Sequence, residues 1–475
     1  MAEPELVDVV VVGLGVGGEE VAGRLAEAGL SVVGIERGLV GGECPYWGCV
    51  PSKMMIRAAN ALAEARRVDE LAGTAQVRPD WGPVARRIRE EATDHWDDRV
   101  AVERLTGKGV RMVRGHGILA GPGQVRVGDH VCQARRGIVI GTGTSAAAPP
   151  IEGLAETPYW TNREAIAVEK LPDSLVVLGG GAIGLELAQV FARFGVRVSV
   201  VEVADRLLAM EEPESSALAA EALQADGVEI QTGVRAERVS HDTRGFAVHL
   251  SGGVVVGGDQ LLVATGRRAR LAELGVETVG LDPAQRFLTV DDRMRAGDGI
   301  WAVGDVTGHG AFTHVAMYEA AIAVRDILAG PGSGAGPRAE GGPPTGPGPR
   351  ADYRALPRVT FTDPEIGAVG LTEQQARDQG LNVQVGLARL SNSARGWIHK
   401  AGNEGFVKLV ADAGRGVLVG ATSAGPAGGE VLGALTVAVH GEVPLATLCN
   451  MMYAYPTFHR AIEDALRDLG GSAPG

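Results

Sequence analysis

Val7-Asp8-Val9-Val10-Val11-Val12-Gly13-Leu14-Gly15-Val16-Gly17-Gly18 is an apolar run that empties into a glycine-rich turn. The run has the texture of a parallel strand buried on both faces. A helical stretch follows with Val21, Leu25 and Leu30 on its apolar side, and then a second strand, Ser31 to Ile35, ending in Glu36. Strand, glycine loop, helix, strand, acid is the order of a dinucleotide-binding unit. Gly13 allows the turn, Gly15 lets a pyrophosphate approach the backbone, and Gly18 lets helix pack on strand. Glu36 is placed to hold ribose hydroxyls, and the phosphates sit where helix N–H groups lack partners. The plainer reading is a glycine turn in some other α/β fold, but the whole order of elements favours the nucleotide.

The pattern recurs. Ser174 to Leu178 reads as a strand, Gly179, Gly181 and Gly184 occupy the fingerprint positions, and a helix carries Leu187, Val190 and Phe191. Val196 to Val201 is the next strand and ends in Glu202. Two such units predict two dinucleotides, and one flavin with one nicotinamide is the economical assignment. Glu202 favours NADH, because a carboxylate there repels a 2′-phosphate. Arg206 nearby keeps NADPH open.

Composition narrows the class. The 475 residues suit about three domains. A net charge of −13 argues against nucleic acid and anionic membrane as partners. No uncharged apolar run reaches the roughly 18 residues of a membrane span. Met1 to Leu6 has no basic region, so no signal peptide is expected. With only four cysteines, the chain is not a disulfide-stapled secreted domain, and a cytoplasmic location is expected.

Two of those cysteines stand in Gly42-Glu43-Cys44-Pro45-Tyr46-Trp47-Gly48-Cys49-Val50-Pro51-Ser52-Lys53. Residues i and i+5 of a regular helix differ by about 140° and about 7.5 Å of rise. A disulfide wants Cα atoms within roughly 7 Å. A Cys44–Cys49 pair therefore needs a distorted turn leading into a helix, with Gly48 suited to supply unusual backbone. The stretch reads either as a redox-active dithiol or as two buried thiols. Cys132 and Cys449 are solitary and read as small buried apolar residues.

The remaining segments complete the outline. Met54 to Arg67 is helical, and Arg86 to Glu103 reads as a solvated helical face. Gln124 to Val131 suggests an antiparallel meander, and Ile138 to Gly143 a strand ending in a small-residue turn. Leu261 to Arg268 and Ile300 to Asp305 are further strand-to-turn segments. Residues 331–350 read as a Gly/Pro-rich flexible linker. From Pro357, strands and helices alternate with no glycine fingerprint, as in an α+β domain suited to subunit contact. The expected architecture is α/β: two Rossmann-like dinucleotide-binding domains and a C-terminal α+β dimerisation domain. Its parts are an FAD-binding domain at 1–150 and 281–330, an NAD(P)H-binding domain at 151–280, and a dimerisation domain at 351–475.

With both fingerprints in place, the chain resembles the pyridine nucleotide–disulfide oxidoreductases, which include lipoamide dehydrogenase, glutathione and mycothione reductases and mercuric reductase. The resemblance rests on both fingerprints, Gly-Gly-Glu-Cys-Pro-Tyr-Trp-Gly-Cys-Val-Pro-Ser-Lys at 41–53, Ala-Thr-Gly-Arg-Arg at 264–268, Ala-Val-Gly-Asp at 302–305, and the stretch from Phe361 to Glu373. It implies FAD along Gly13, Gly15, Gly18, Glu36, Gly42, Lys53, Gly143 and Asp305. It implies NAD(P)H at Gly179, Gly181, Ile183, Gly184, Glu202 and Gly266. Cys49 is then the thiol nearer the flavin, and Cys44 the one that meets substrate. Lys53 pairs with Glu186, the cation favouring reduced flavin and thiolate. A homodimer is implied, acting on a small-molecule electron acceptor. The plainer reading of Glu186 is a surface acid.

The resemblance breaks at the C-terminus. Where disulfide reductases of the family carry His-Pro-Thr-x-x-Glu, this chain has Tyr455-Pro456-Thr457-Phe458-His459-Arg460. A phenol, ordinarily titrating near about pH 10, is a poor base. Mercuric reductases likewise lack that His–Glu pair, but they add a C-terminal cysteine pair not found before Gly475. Trp47 replaces a small apolar residue and is expected to narrow access to Cys44. The expected function is electron transfer from NAD(P)H through FAD and a Cys44–Cys49 disulfide to a specialised disulfide, a metal ion or a small metabolite. The alternatives are a diaphorase, quinone reductase or transhydrogenase-like enzyme that bypasses the cysteines, and a lipoamide dehydrogenase-like component of a multienzyme complex.

Overall fold

A computed structural model of the chain describes residues 3–330 and 350–469. The linker expected at 331–350 lies, apart from Arg350, outside the described residues. The chain divides into two compact units. One is drawn from 1–51, 87–147 and 267–352, the other from 52–86, 148–266 and 353–475.

The first unit is built on an eight-stranded sheet. Its main path runs Arg295–Gly297, Ile300–Ala302, His130–Ile140, Glu5–Val12, Val32–Glu36, Arg111–Arg114. The four pairings from Ile300–Ala302 onward are parallel. The valine run is continuous because both faces are covered. Val9 and Val11 pack with Val21 and Leu25 of the helix Val16–Glu27, while Val10 and Val12 pack with Ile138, Ile140 and Leu119. Val12 is level with both Ile35 and Ile140, so three strand ends meet at the glycine turn. The expected meander is present as Ile118–Gly121, Gln124–Val127 and the start of His130–Ile140.

The charged segment differs from expectation. It is not one helical face but a helix Gly82–Arg87, a widened turn at Ile88–Ala92, and a second helix Arg99–Gly107. Between them Asp94, His95 and Trp96 take left-handed φ of 45°, 58° and 58°. Such backbone costs about 1–2 kcal/mol per residue. Here it carries Trp96 onto Trp47, with ring centroids 5.3 Å apart and nearly parallel planes.

The second unit holds a four-stranded parallel sheet in the order Glu229–Gln231, Arg197–Val201, Ser174–Leu178, Gln260–Val263. Against it packs an antiparallel sheet, Ala236–Asp242, Gly245–Leu250 and Val255–Gly258, that carries no motif. The same unit contains a five-stranded antiparallel sheet, Pro357–Thr360, Glu365–Gly370, Val417–Gly425, Phe406–Asp412, Val383–Arg389, covered by the helices Gly428–His440 and Ala461–Leu469. Arg193 is buried. It ion-pairs with Asp226 and Asp363 and donates to Asn60, while Gln189 donates to the Asp363 carbonyl. This network pins Phe361–Asp363 to the helix Ala182–Arg193. No described helix is long and apolar enough to cross a membrane.

Candidate active site

In the first unit the helix Val16–Glu27 starts at Gly15 without a side-chain cap, so its first N–H groups are open to an anion. The loop is shaped for close approach. Gly13 has φ +88°, and a Cβ there would meet the Gly141 backbone at 2.7 Å. A Cβ on Gly42, φ +68°, would meet the Gly15 Cα at 2.8 Å, and one on Gly18 the Gly13 carbonyl at 1.9 Å. The cradle therefore suits a pyrophosphate lying directly on the backbone. Glu36 closes it, accepting the N–H groups of Leu14 and Gly38, both at 2.7 Å.

The second unit repeats this arrangement. The helix Ala182–Arg193 starts at Gly181 without a side-chain cap, and a Cβ on Gly181 would meet nothing within 4 Å. A Cβ on Gly184 would strike the Gly179 carbonyl at 2.1 Å. Glu202 accepts the N–H groups of Gly180 at 2.5 Å and Ala204 at 2.7 Å. Each acid thus binds the residue after the first fingerprint glycine and the residue two beyond itself. Arg206, by contrast, donates to the carbonyls of Leu208, Ala209 and Glu211 and to Ser216. Ile183 is exposed in the first helical turn. Gly266, at φ +126°, has open space beside it.

The cysteine stretch is a short helical turn, Glu43–Tyr46, broken at Trp47 and Gly48, then the helix Cys49–Arg66. The expected distortion is there, but Gly48 does not supply left-handed backbone. Its φ is not positive, whereas Gly41 and Gly42 have φ +102° and +68°. Gly48 serves by closeness, since a Cβ there would lie 3.2 Å from the Glu43 carbonyl. Cys44 is half-buried and Cys49 exposed. Cys49 Sγ is 3.4 Å from Thr313 Oγ1. Lys53 follows Cys49 by one turn on the same helix.

Asp305 caps the strand Ile300–Ala302 and accepts from Thr144 Oγ1 at 2.7 Å, next to Gly143. Arg267 donates to Thr144 Oγ1 and its carbonyl, both at 2.8 Å, and stands 3.8 Å from Asp305 and 3.4 Å from Glu43. Burial pushes the Asp305 carboxyl up, against the Thr144 hydrogen bond and the Arg267 charge. Below it, Glu319 is fully buried and accepts from the Gly304 N–H at 2.6 Å and from Thr307 Oγ1 at 3.0 Å. Thr144, Arg267, Thr313 and Glu319 escape a reading of the chain. Arg267 alone had a signal, since it directly follows Gly266 in Ala-Thr-Gly-Arg-Arg.

In the second unit Lys53 Nζ meets Glu186 Oε2 at 2.8 Å and lies 4.5 Å from the centre of the Phe361 ring. Glu186 is buried rather than a surface acid, and its other oxygen accepts the Phe361 N–H at 2.8 Å. Tyr455 stands apart, 69% exposed, with the Arg460 guanidinium 5.5 Å over its ring. His459 Nε2 is 3.4 Å from Thr457 Oγ1. Among the described residues no carboxylate bonds to His459. Arg460 pairs with Glu463 at 3.0 Å. Tyr453, two residues before Tyr455, is buried, donates to the Leu448 carbonyl, and is pushed up to about 12 by that burial.

Two expectations about the remaining cysteines need correction. Cys449 is exposed, because the helix Leu445–Asn450 turns Leu448 inward and the next position outward. Cys132 is buried but not solitary, since His130 Nε2 lies 3.3 Å from its Sγ.

The sequence profile described as pyridine nucleotide-disulphide oxidoreductase matches residues 7–320, and that of the corresponding dimerisation domain matches 356–466. A mercuric reductase from Streptomyces lividans is 32% identical over 96% of this chain and 94% of its own length. A dihydrolipoyl dehydrogenase from Thermus scotoductus is 31% identical over 97% of both chains. A solved Cu(II) complex of the HOCl-induced flavoprotein disulfide reductase RclA from Escherichia coli superimposes with a TM-score of 0.83 at 27% identity, over 97% of this chain and 99% of the other.

Proposed function

This chain belongs to the pyridine nucleotide-disulphide oxidoreductases, FAD-containing and NAD(P)H-dependent enzymes, and from that premise we propose that it reduces a soft metal ion through a Cys44–Cys49 disulfide. FAD, when bound, would supply the two-electron chemistry that links a nicotinamide hydride to the cysteine pair. Gly13, Gly15, Gly18, Gly42, Gly143, Glu36 and Asp305 hold it, and Gly179, Gly181, Ile183, Gly184, Glu202 and Gly266 hold the nicotinamide dinucleotide. NADH is the coenzyme this reading favours: Glu202 ends the second strand of the nicotinamide unit, where a carboxylate would repel a 2′-phosphate, and Arg206 is spent on backbone carbonyls. Lys53, oriented by Glu186, is the cation this reading assigns to the reduced flavin, as the family's pattern implies. Residues 1–150 and 281–330 form the FAD domain, 151–280 the NADH domain and 351–475 the dimer contact of a cytoplasmic homodimer.

The carrying observation is Tyr455 with Arg460 over its ring where a disulfide exchanger needs an imidazole–carboxylate pair. Exchange with a disulfide needs a proton delivered to the leaving thiol. A metal ion needs none. The two cysteine thiolates ligate it, and it takes the electron pair, as Hg(II) to Hg(0) or two Cu(II) to two Cu(I), while the Cys44–Cys49 disulfide re-forms. Mercuric reductases and a Cu(II)-bound reductase among the similar proteins support this acceptor class. A diaphorase is the second reading, favoured by Trp47, three residues after Cys44, being held in a stack with Trp96.

The test is steady-state NADH oxidation with Hg(II) or Cu(II) against lipoamide and glutathione disulfide. Metal-dependent turnover that Cys44→Ser abolishes, with background rates on both disulfides, is expected. Fast lipoamide turnover without metal turnover would sink the proposal. Quinone reduction as the sole activity, unaffected by Cys44→Ser, would establish the second reading instead.

A further inference from the structure

Away from the dithiol, three different metal-ligating side chains converge at one end of the first unit's sheet. His130 and Cys132 are two apart on the strand His130–Ile140, so their side chains leave the same face. The parallel neighbour sets Glu5 level with Cys132. His130 Nε2 consequently lies 2.9 Å from Glu5 Oε2 and 3.3 Å from Cys132 Sγ. All three donor atoms fall within 4.8 Å of one another. A tetrahedral ion with bonds of ~2.0–2.3 Å spaces its ligand atoms by roughly 3.3–3.6 Å, so small side-chain adjustments close the set.

A cation already sits there. Arg111 Nη2 contacts Glu5 and, at 3.0 Å, His130 Nε2. The demands on that ring nitrogen conflict. Toward Glu5 it must donate, toward Arg111 it must accept, and one nitrogen carries either a proton or a lone pair. In either form one close contact is unmet. A metal ion resolves the conflict by taking the lone pair and facing the carboxylate with positive charge.

We propose that Glu5, His130 and Cys132 bind a thiophilic divalent cation of the zinc class, with water as fourth ligand. Arg111, half exposed at 50%, swings into solvent to admit it. Binding forms a metal–sulfur bond and breaks the Cys132 S–H bond, and the proton goes to water. No electron moves.

The test uses FAD-loaded enzyme carrying Cys44→Ser and Cys49→Ser, so that the dithiol does not compete. Co(II) is titrated while following the ligand-field bands of tetrahedral, thiolate-bound cobalt to the red of flavin absorption. One saturable site per chain, displaced by Zn(II) and lost on adding Cys132→Ser, is expected. His130→Ala should weaken it by at least the roughly tenfold that even an outer-shell partner contributes. Arg111→Gln should tighten it, an effect a purely structural ion pair does not produce. No tetrahedral signal, or one that ignores both His130→Ala and Arg111→Gln, overturns the proposal. His130, half-buried, and Arg111, exposed, lie away from the core and keep the test decisive if Cys132→Ser fails to fold.

Discussion

Lys53 Nζ and Glu186 Oε2 are 2.8 Å apart, and the second oxygen of that carboxylate is held by the Phe361 N–H. The acid is therefore fixed from one side and fixes the lysine on the other. Glu186→Gln keeps an acceptor for Phe361 but removes the charge that orients Lys53. Flavin reduction by NADH in anaerobic stopped flow should slow on the order of tenfold, the scale of losing an orienting partner. The melting temperature should fall only modestly, because Glu186→Gln is isosteric at the buried position and Lys53, 36% exposed, can turn its charge to solvent. An unchanged rate would leave Glu186 a purely structural acid.

Tyr455 and Arg460 define the second prediction. General acid–base groups contribute about 10²–10⁴-fold. The double variant Tyr455→His with Arg460→Glu should raise lipoamide turnover by at least the lower part of that range, and either change alone by far less. Metal-dependent NADH oxidation should not gain. A double variant as slow on lipoamide as the parent would show that something other than a proton relay limits exchange.

Trp47 is half-buried between the cysteines and stacks on Trp96. Aromatic pairs of this kind are worth about 0.5–1.5 kcal/mol beyond the area they bury. Trp47→Ala should accelerate the reaction of NADH-reduced enzyme with a bulky aromatic disulfide much more than with a small alkylating reagent. Flavin reduction should stay the same. Equal acceleration for both reagents would argue for general loosening rather than a gate.

Asp326 supplies a pH dependence. Burial raises its pKa, but hydrogen bonds from Arg295 and Trp301 and the Arg295 charge outweigh that and leave it lowered. The folded state thus binds this proton less readily than the unfolded chain. The stability it contributes is present above the unfolded value of about 3.9 and fades as pH falls through the lower folded value. Asp326→Asn should cost about 1.5–3 kcal/mol at pH 7, the scale of hydrogen bonds to a charged group. In denaturant titrations its deficit against wild type should shrink below about pH 4.

On anaerobic reduction with one equivalent of NADH, a long-wavelength band from Cys49 against the flavin should appear and be lost in Cys49→Ser. Simple bleaching of the parent would take the dithiol out of the circuit.

The glycine turns and the acids that close them could be read from the chain because a tight turn asks for local backbone shape, and local shape needs local residues. Lys53 and Glu186 followed from their places in motifs, though burial of Glu186 depends on Phe361, 175 residues away. The Asp305 surroundings were hidden for the same reason. Thr144 and Arg267 meet only because Ser145–Ala146 pairs with Arg267–Arg268. The sheet at 236–258 carries alternating apolar residues without any motif, so nothing announced it. Cys449 shows a finer limit. One step along a helix turns a side chain by about 100°, enough to take a cysteine from core to surface when Leu448 claims the inward position.

The strand His130–Ile140 runs on into Gly141, the floor of the first glycine turn, and its other end holds the Glu5–His130–Cys132 set. From Cys132 to Ile140 is eight steps, about 26 Å at ~3.3 Å per residue. That exceeds three screening lengths of about 8 Å at physiological salt. At that separation a metal ion bound at the far end would act on a flavin only weakly by charge. Its effect would instead be on the slack of a single rod shared by both ends, so occupancy should be read in hydrogen exchange along Ile138–Ile140, with the flavin potential shifted little.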